Sequence, residues 1–320
     1  MGKIITIFFI IFNMAFATSI DIVELYRTQG IKSVEKAIEQ QLQNKEYWDE
    51  NLKHKDTTNG YYESIRYVVI CQKELKDIIL YDTQKKENLF SSSVYVGKVD
   101  GDKKVEGDLK TPIGAYDLTQ RLTSVDPFYG PLALTTNYPN LYDKVNGKTG
   151  HGIWIHGLPQ NEQRDDFTQG CIALDNTKIQ KLDNSINIDN SVLVISENKL
   201  QEVSKEDISI ILTSVFQWRD AWKYSDVEKY LSFYAEDFKR TNGQNLEKFS
   251  VFKKRIFSKK ESKKIVFSDI NVIPYPNDQN KKIFKVSMNE FYQTATYEFN
   301  GKKELYVEIK NGEFKILTES

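Results

Sequence analysis

The stretch Phe167-Thr168-Gln169-Gly170-Cys171-Ile172-Ala173-Leu174, preceded by His156-Gly157, organises the reading of the whole chain. A cysteine, a histidine and a turn-forming glycine are the parts a thiol acyl-transfer site needs. The thiolate attacks a carbonyl, the imidazole moves the proton, and backbone amides near the sulfur donate to the developing oxyanion. Gly170 allows a tight backbone just before the nucleophile. A free thiol ionises at about pH 8.5, so an imidazole must help form the thiolate at neutral pH. His156 is the first candidate, and His151 in Gly150-His151-Gly152 is its rival.

Outward from the cysteine, Gly152 to Ile155 reads as a strand that delivers His156 to its end. Along a strand rising about 3.3 Å per residue, His151 and His156 stand roughly 16 Å apart with side chains on opposite faces. They should therefore not serve one thiol, which favours His156 and leaves His151 to the substrate cleft or a turn. Trp154, two residues before His156, should share its side, as a groove residue or a core aromatic. The same geometry argues against zinc on His151, His156 and Cys171, and no second Cys or His pair has metal-ligand spacing. No metal and no cofactor is expected.

The surrounding residues, from Glu63 to about Ser196, have the texture of short strands. Ile65 to Cys71 and Ile78 to Tyr81 flank a charged Gln72-Lys73-Glu74 turn, and Val94 to Gly97 and Val192 to Ile195 are further strands. Gly107 to Tyr116, with Pro112 and Gly114, marks a turn entering a strand. Gln160 to Asp166 is a polar loop, and Asp175 to Leu182 a short helix capped by Asp175 or Asn176.

At 320 residues the chain has room for two or three domains. A net charge of −1 gives no global reason to expect nucleic acid, and 18 Tyr with 18 Phe suit aromatic cores. Met1 to Ala17, with its basic start, apolar run and Ala-Phe-Ala site, reads as a signal peptide, placing the mature protein in the periplasm. In that oxidising compartment Cys71 and Cys171 could form a disulfide, but this would consume the nucleophile, and Cys71 lies in a buried-strand pattern.

Residues 18–60 form a helical arm in which Gly30 separates two helices and Ser33 can cap the second. The arm packs on its neighbour or makes a homodimer through residues 20–53; His54 within it reads as a surface residue. After a polar linker from Lys199 to Glu206, Ile208 to Trp222 and Asp226 to Tyr234 are helices, and Ile265 to Leu317 alternates like antiparallel strands. Asn300-Gly301 and Asn311-Gly312 are hairpin signals there. Lys248 to Lys264 is a basic stretch, a solvated helical face or a weak contact with anionic wall polymer or membrane, with Phe249, Phe252 and Phe257 serving the core.

The pattern His156-Gly157 then Thr168-Gln169-Gly170-Cys171-Ile172, with Thr111-Pro112-Ile113-Gly114-Ala115-Tyr116, resembles the L,D-transpeptidase family of peptidoglycan cysteine enzymes. The resemblance spans roughly residues 61–198 and implies a mostly-β sandwich with the nucleophile on a strand-end turn. It also implies that Cys171 is the nucleophile, His156 the base, and the Gly157 carbonyl the partner of the second ring nitrogen. Lys110, Thr111, Trp154, Thr168, Gln169, Gly170, Ala173 and His151 are the residues expected around the substrate. Many members carry Arg where this chain has Ala173, and Lys110, Arg121 or Arg164 could supply the missing charge for a substrate carboxylate.

Residues 199–320, with Trp222 to Asp226 before Tyr230 to Phe238, look like an NTF2-like cone. The expected fold is thus α+β and multidomain: helical arm, L,D-transpeptidase-like sandwich, NTF2-like cone. This arrangement resembles the L,D-carboxypeptidases that set helical cell shape, acting on tetrapeptide stems of peptidoglycan. The motif itself leaves L,D-transpeptidation, a silent wall-binding role and an exported thiol protease open. Removal of residues 201 to 320 is expected to disturb wall association more than bond cleavage.

Overall fold

The computed structural model describes residues 21–159 and 165–320. The signal-peptide segment, Arg164 and most of the Gln160 to Asp166 loop lie outside the described residues. The arm is three helices: α1 (Ile22–Gln29), α2 (Ile31–Leu42) and α3 (Lys45–Leu52). Gly30, at φ 80°, closes α1 and opens α2. Ser33, expected as the cap, lies one turn inside α2, its hydroxyl turned back to the Gln29 carbonyl. Asn44 caps α3 by accepting from the Glu46 amide at 2.9 Å.

Residues 61–196 contribute β1 (Tyr61–Tyr62), β2 (Tyr67–Gln72), β3 (Asp77–Asp82), β4 (Glu87–Ser93), β5 (Gly114–Leu122), β6 (Ala133–Thr136), α4 (Leu141–Val145), β7 (Trp154–His156), β8 (Ile172–Ala173), α5 (Asn176–Ser185) and β9 (Ser191–Ser196). Eight of these strands make one mixed sheet in the order β4-β3-β2-β9-β5-β6-β7-β8. The segment after β4 folds onto β8, where Tyr95 and Ala173 exchange backbone hydrogen bonds of 2.9 and 2.8 Å. The two ends of the sheet thereby meet, and one curled sheet takes the place of two stacked ones. Val94 to Gly97, expected as a strand, makes only isolated bridges, to Ala173 and Thr168.

Strand β2 explains the unbroken apolar run Tyr67 to Cys71. Val69 and Cys71 point into the curl with Leu80, Tyr116, Ile155 and Leu193. Val68 and Ile70 point the other way, with Ala115 and Val194, onto Ile273, Tyr275, Tyr306 and Leu317 of the C-terminal region. A strand covered on both faces has no polar side to alternate with.

The C-terminal region holds α6 (Lys205–Lys223), α7 (Val227–Ser232), α8 (Leu246–Phe257), β10 (Lys264–Pro274), β11 (Ile283–Gln293), β12 (Glu298–Lys310) and β13 (Glu313–Glu319). Its antiparallel sheet runs β1-β10-β11-β12-β13, so β1 belongs to this sheet although it precedes the catalytic strands. Asn311-Gly312, with φ 53° and 77°, is the expected tight turn. Asn300-Gly301 is not a turn. It lies inside β12, opposite Phe291 and Glu290, and the chain reverses at Thr294 to Tyr297 instead. Local turn preference lost there to pairing along the full length of β11.

The arm serves the C-terminal region as well. Trp48 and Leu52 join the core of α6, and Trp48 stacks on Phe216 at 5.6 Å. Glu39 of α2 meets Lys223 at 2.8 Å and Arg219 at 3.4 Å. Ile22, Val23, Tyr26 and Ile31 remain exposed. The basic stretch is not wholly a solvated face: Lys253 of α8 lies 4.9–5.3 Å from the ring centres of Tyr230, Phe249 and Trp222. Burial there pushes its ammonium down to about 8. Phe249 and Phe257 are core residues and Phe252 is half-buried.

Candidate active site

Strands β7 and β8 run parallel, with Ile155 level with Ile172 and His156 level with Ala173. Ile155 and Ile172 are fully buried inside the curl. One step back along the same register, Cys171 falls level with Trp154, on the face that carries Trp154 and His156. Short strands suffice because each is clamped at both sides: β7 by β6 and β8 by the segment at Tyr95.

The histidine is almost completely buried, at 1 % exposure. Its Nδ1 lies 2.6 Å from the carbonyl oxygen of Gly157. A carbonyl only accepts, so Nδ1 carries the proton and Nε2 is the basic nitrogen. That carbonyl is fixed in turn. The Gly157 amide donates to Tyr129 O at 2.9 Å, and the Asn176 side chain clamps Leu158 through both its amide and its carbonyl, at 2.8 and 2.9 Å. A Cβ on Gly157 would strike Asn176 Oδ1 and Pro131, which is why glycine stands there.

The turn leading into Cys171 is organised by Thr168. Its hydroxyl donates to the Cys171 carbonyl at 2.7 Å and accepts from the Gly170 amide at 3.0 Å. Its backbone is tied to Val96 O at 2.8 Å and to the Lys98 amide at 3.0 Å. Gly170 has φ +134°, and the Lys110 carbonyl lies 2.8 Å from where its Cβ would be, so the turn needs glycine twice over. The Cys171 thiol donates to Gly152 O at 3.3 Å. Because the Gly170 and Ala173 amides are already engaged, with Thr168 Oγ1 and Tyr95 O, neither can serve an oxyanion without giving up that bond.

Both cysteines are thiols, and no disulfide joins them. Cys71 is buried in β2, and burial pushes its thiol up to about 12, beyond useful nucleophilicity near neutral pH.

The residues expected around the substrate divide sharply. Gln169 and His151 are exposed, and Trp154 and Lys110 are half-buried. Thr111 is not in a groove: it is fully buried and its hydroxyl accepts from the Gly97 amide at 2.8 Å. Thr168, Gly170 and Ala173 are buried too, and act through backbone and turn geometry. His151 is separated from His156, but not by strand geometry. The strand begins only at Trp154, and Gly150 and Gly152, at φ 96° and 69°, turn His151 outward to within 3.9 Å of Glu106.

Of the cations that might replace the family arginine, Arg121 is committed to Asp183 through Nε–Oδ1 and Nη2–Oδ2 contacts of 2.7 and 2.6 Å. The Lys110 ammonium rests against Gly101. Lys98, which sequence reading passed over, lies 4.7 Å from the ring centre of Phe167 beside the turn at Thr168. Tyr129 was also passed over. Its ring stands edge-on to His156 at 5.0 Å and against Trp154 at 5.1 Å, from a short 3₁₀ turn capped by Asp126. Asp126-Pro127 before two aromatics was its only sequence signal. Among the described residues no three His, Cys, Asp or Glu side chains converge as a metal site requires.

Comparison with known proteins agrees with this geometry. Residues 66–194 match the L,D-transpeptidase catalytic domain model (YkuD), and residues 210–320 match the Cds6 C-terminal NTF2-like domain. YafK of Escherichia coli K12, named as an L,D-transpeptidase, is 32 % identical over 82 residues, which span 30 % of its length. The crystal structure of the helical cell shape determining protein Pgp2 from Campylobacter jejuni is 41 % identical, with a TM-score of 0.82 over 87 % of this chain and 100 % of that one. Bd1075 of Bdellovibrio bacteriovorus is 29 % identical, with a TM-score of 0.66 over 82 % of this chain and 96 % of that chain. The chain belongs to the family of Pgp2, with an L,D-transpeptidase catalytic domain followed by an NTF2-like domain.

Proposed function

We propose that this protein is an exported peptidoglycan L,D-carboxypeptidase that trims tetrapeptide stems to tripeptides and so influences cell shape. The observation that carries the reading is the pairing of a thiol and a tautomer-fixed imidazole on one strand face, Cys171 with His156 held by Gly157. The whole-chain likeness to a protein described as determining helical cell shape supports it.

In this mechanism Nε2 of His156 takes the Cys171 proton. The thiolate then attacks the carbonyl that joins the L-centre of the third stem residue to the terminal D-Ala. The imidazolium returns the proton to the departing amine, D-Ala leaves, and a Cys171 thioester remains. Water, deprotonated by His156, hydrolyses the thioester and restores the thiol. If an amine from a neighbouring stem arrives in place of water, the product is a 3-3 crosslink, which is the transpeptidase alternative.

The test is incubation of the purified protein with defined muropeptides and mass analysis of the products. Tripeptide with free D-Ala is the expected result. Dimers linked between third residues would replace carboxypeptidation with transpeptidation, and unchanged substrates would shift the reading to a wall-binding role. Export and periplasmic location belong to the same proposal and are checked by fractionation and by sequencing the mature N-terminus. For a homodimer, the exposed apolar side chains of α1, with Ile31 at the start of α2, are the surface we favour, since α3 is spent on α6.

A further inference from the structure

Two side chains of the C-terminal domain bear on the loop that shapes the Cys171 turn, Asp278 directly through Lys104 and Tyr275 indirectly through Asp143. This loop, residues 97–113, is braced internally: Asp108 accepts from the Lys104, Val105 and Lys110 amides at 2.8–3.1 Å. Its Lys110 carbonyl is the surface on which Gly170 packs. Its Lys104 carbonyl accepts from the Thr149 amide at 3.0 Å, and Glu106 N donates to Thr149 Oγ1 at 3.2 Å. The segment begun by Thr149 ends at Gly152, whose carbonyl receives the Cys171 thiol. The loop therefore meets the cysteine turn directly at Gly170 and, through the segment 149–152, at the thiol.

The C-terminal domain holds that loop through charge. Asp278, between β10 and β11, meets Lys104 Nζ at 2.7 Å. Asp102 in the same loop accepts from Ile113 N at 2.9 Å and pairs with Lys104 and Lys148 at 3.0 and 2.8 Å. Lys148 also pairs with Asp143 at 2.8 Å, and Tyr275, the residue after β10, donates its hydroxyl to Asp143 at 3.1 Å. The side chains of Asp102, Asp143 and Lys148 are nearly fully buried, where a charge deprived of its partner is costly and so geometry is strictly held.

We propose that Tyr275 and Asp278 are positioning residues for the reaction, acting on Cys171 through the Asp102–Lys148–Asp143 relay and loop 97–113. The NTF2-like domain is then part of the active site's scaffold. The inference rests on Cys171 being the nucleophile, as proposed above, but not on the identity of its substrate.

The experiment uses the full chain with Asp278→Asn, Asp278→Glu and Tyr275→Phe. The first readout is the rate of Cys171 alkylation by iodoacetamide across pH, which reports thiolate formation whatever the substrate. The second is kcat and KM on disaccharide tetrapeptide. Asp278→Asn and Tyr275→Phe should displace the alkylation pH profile and lower kcat roughly tenfold with KM within about twofold, since small misplacements cost rate before binding. Asp278→Glu should restore most of the loss. Parental alkylation profiles in folded variants would overturn the proposal, as would a loss confined to thermal stability. If the parent turns over no muropeptide, the functional reading fails while the alkylation arm still decides this one.

Discussion

Gly157 turns its carbonyl oxygen back onto the residue before it, 2.6 Å from Nδ1 of His156. This contact selects the ring tautomer and leaves Nε2 toward the face shared with Cys171. His156→Ala should lower kcat by roughly 10²–10⁴-fold, the usual worth of a placed general base. His151→Ala, altering an exposed side chain, should change kcat little. Gly157→Ala should fall between them, because its Cβ would push the carbonyl off the ring. Steady-state kinetics on tetrapeptide substrate measures all three, and equal losses at His151 and His156 would refute the assignment of the base.

Alkylation near neutral pH should modify one cysteine per chain. Cys171 is partly accessible, whereas Cys71 is buried with its thiol raised to about 12. Peptide mapping should find the label on Cys171 with loss of turnover, and Cys171→Ala should be inactive yet folded.

Thr168→Val keeps the shape of the side chain but removes the hydroxyl that ties Cys171 O to Gly170 N. A buried amide and a carbonyl lose their partner, at about 1–3 kcal/mol. The variant should melt lower and lose kcat more than tenfold in order of magnitude. Thr168→Ser should recover much of both, as thermal denaturation and kinetics would show.

Acid should loosen the contact between the two domains. Asp117 is opposed by burial, but Lys285 and Lys302 at 2.7 and 2.9 Å hold its carboxyl down to about 2 from an ordinary 3.8. A carboxyl depressed in the folded state adds stability that is complete above its unfolded value. That stability is lost as pH falls through the folded value. Urea midpoints should therefore decline between about pH 4 and pH 2. Lys285→Met, which leaves Asp117 and Glu304 with Lys302 alone, should cost less than the about 3 kcal/mol of a fully stranded buried charge at pH 7 and flatten that decline. A midpoint as steep as the parent's would contradict the pairing.

The structure also changes what truncation should do. Removing residues 201 to 320 uncovers Val68, Ile70, Ala115, Val192 and Val194 at once. The remaining catalytic fragment should aggregate on size-exclusion chromatography instead of cleaving normally without wall contact. A monodisperse, fully active fragment would show that the shared core is dispensable.

The catalytic elements were legible because their chemistry is local in sequence. Cys171, His156 and Gly170 stand out by residue type, the likeness of their surroundings to the L,D-transpeptidase motif added Gly157 and Thr168, and the continuous apolar run of β2 marked a buried strand. What sequence concealed depends on partners far away. Nothing near Asp102, Asp143 or Lys148 says that they will share one buried network, and nothing near Tyr129 says that its ring will stand against His156. Thr111 looked like a groove residue because the motif lies beside a groove, yet its hydroxyl was needed by Gly97. Asn300-Gly301 followed a sound local rule and was overruled by pairing with β11. Lys253, one lysine among many, was drawn into an aromatic cage that only the folded sheet creates.

The placement of β1 has a consequence for how the chain acquires its shape. Glu63 donates to Asn271 across 208 residues, and Thr57 reaches Val203 across 146. The arm and β1 leave the ribosome before the catalytic sheet but find their partners only after the whole of that sheet has been made. Closing such long loops is slow, and Trp48 and Leu52 wait meanwhile without α6. The catalytic sheet is in effect an insertion within a unit that cannot be completed until the last strands arrive. Chaperone dependence and aggregation should therefore be greatest before the C-terminal strands are available.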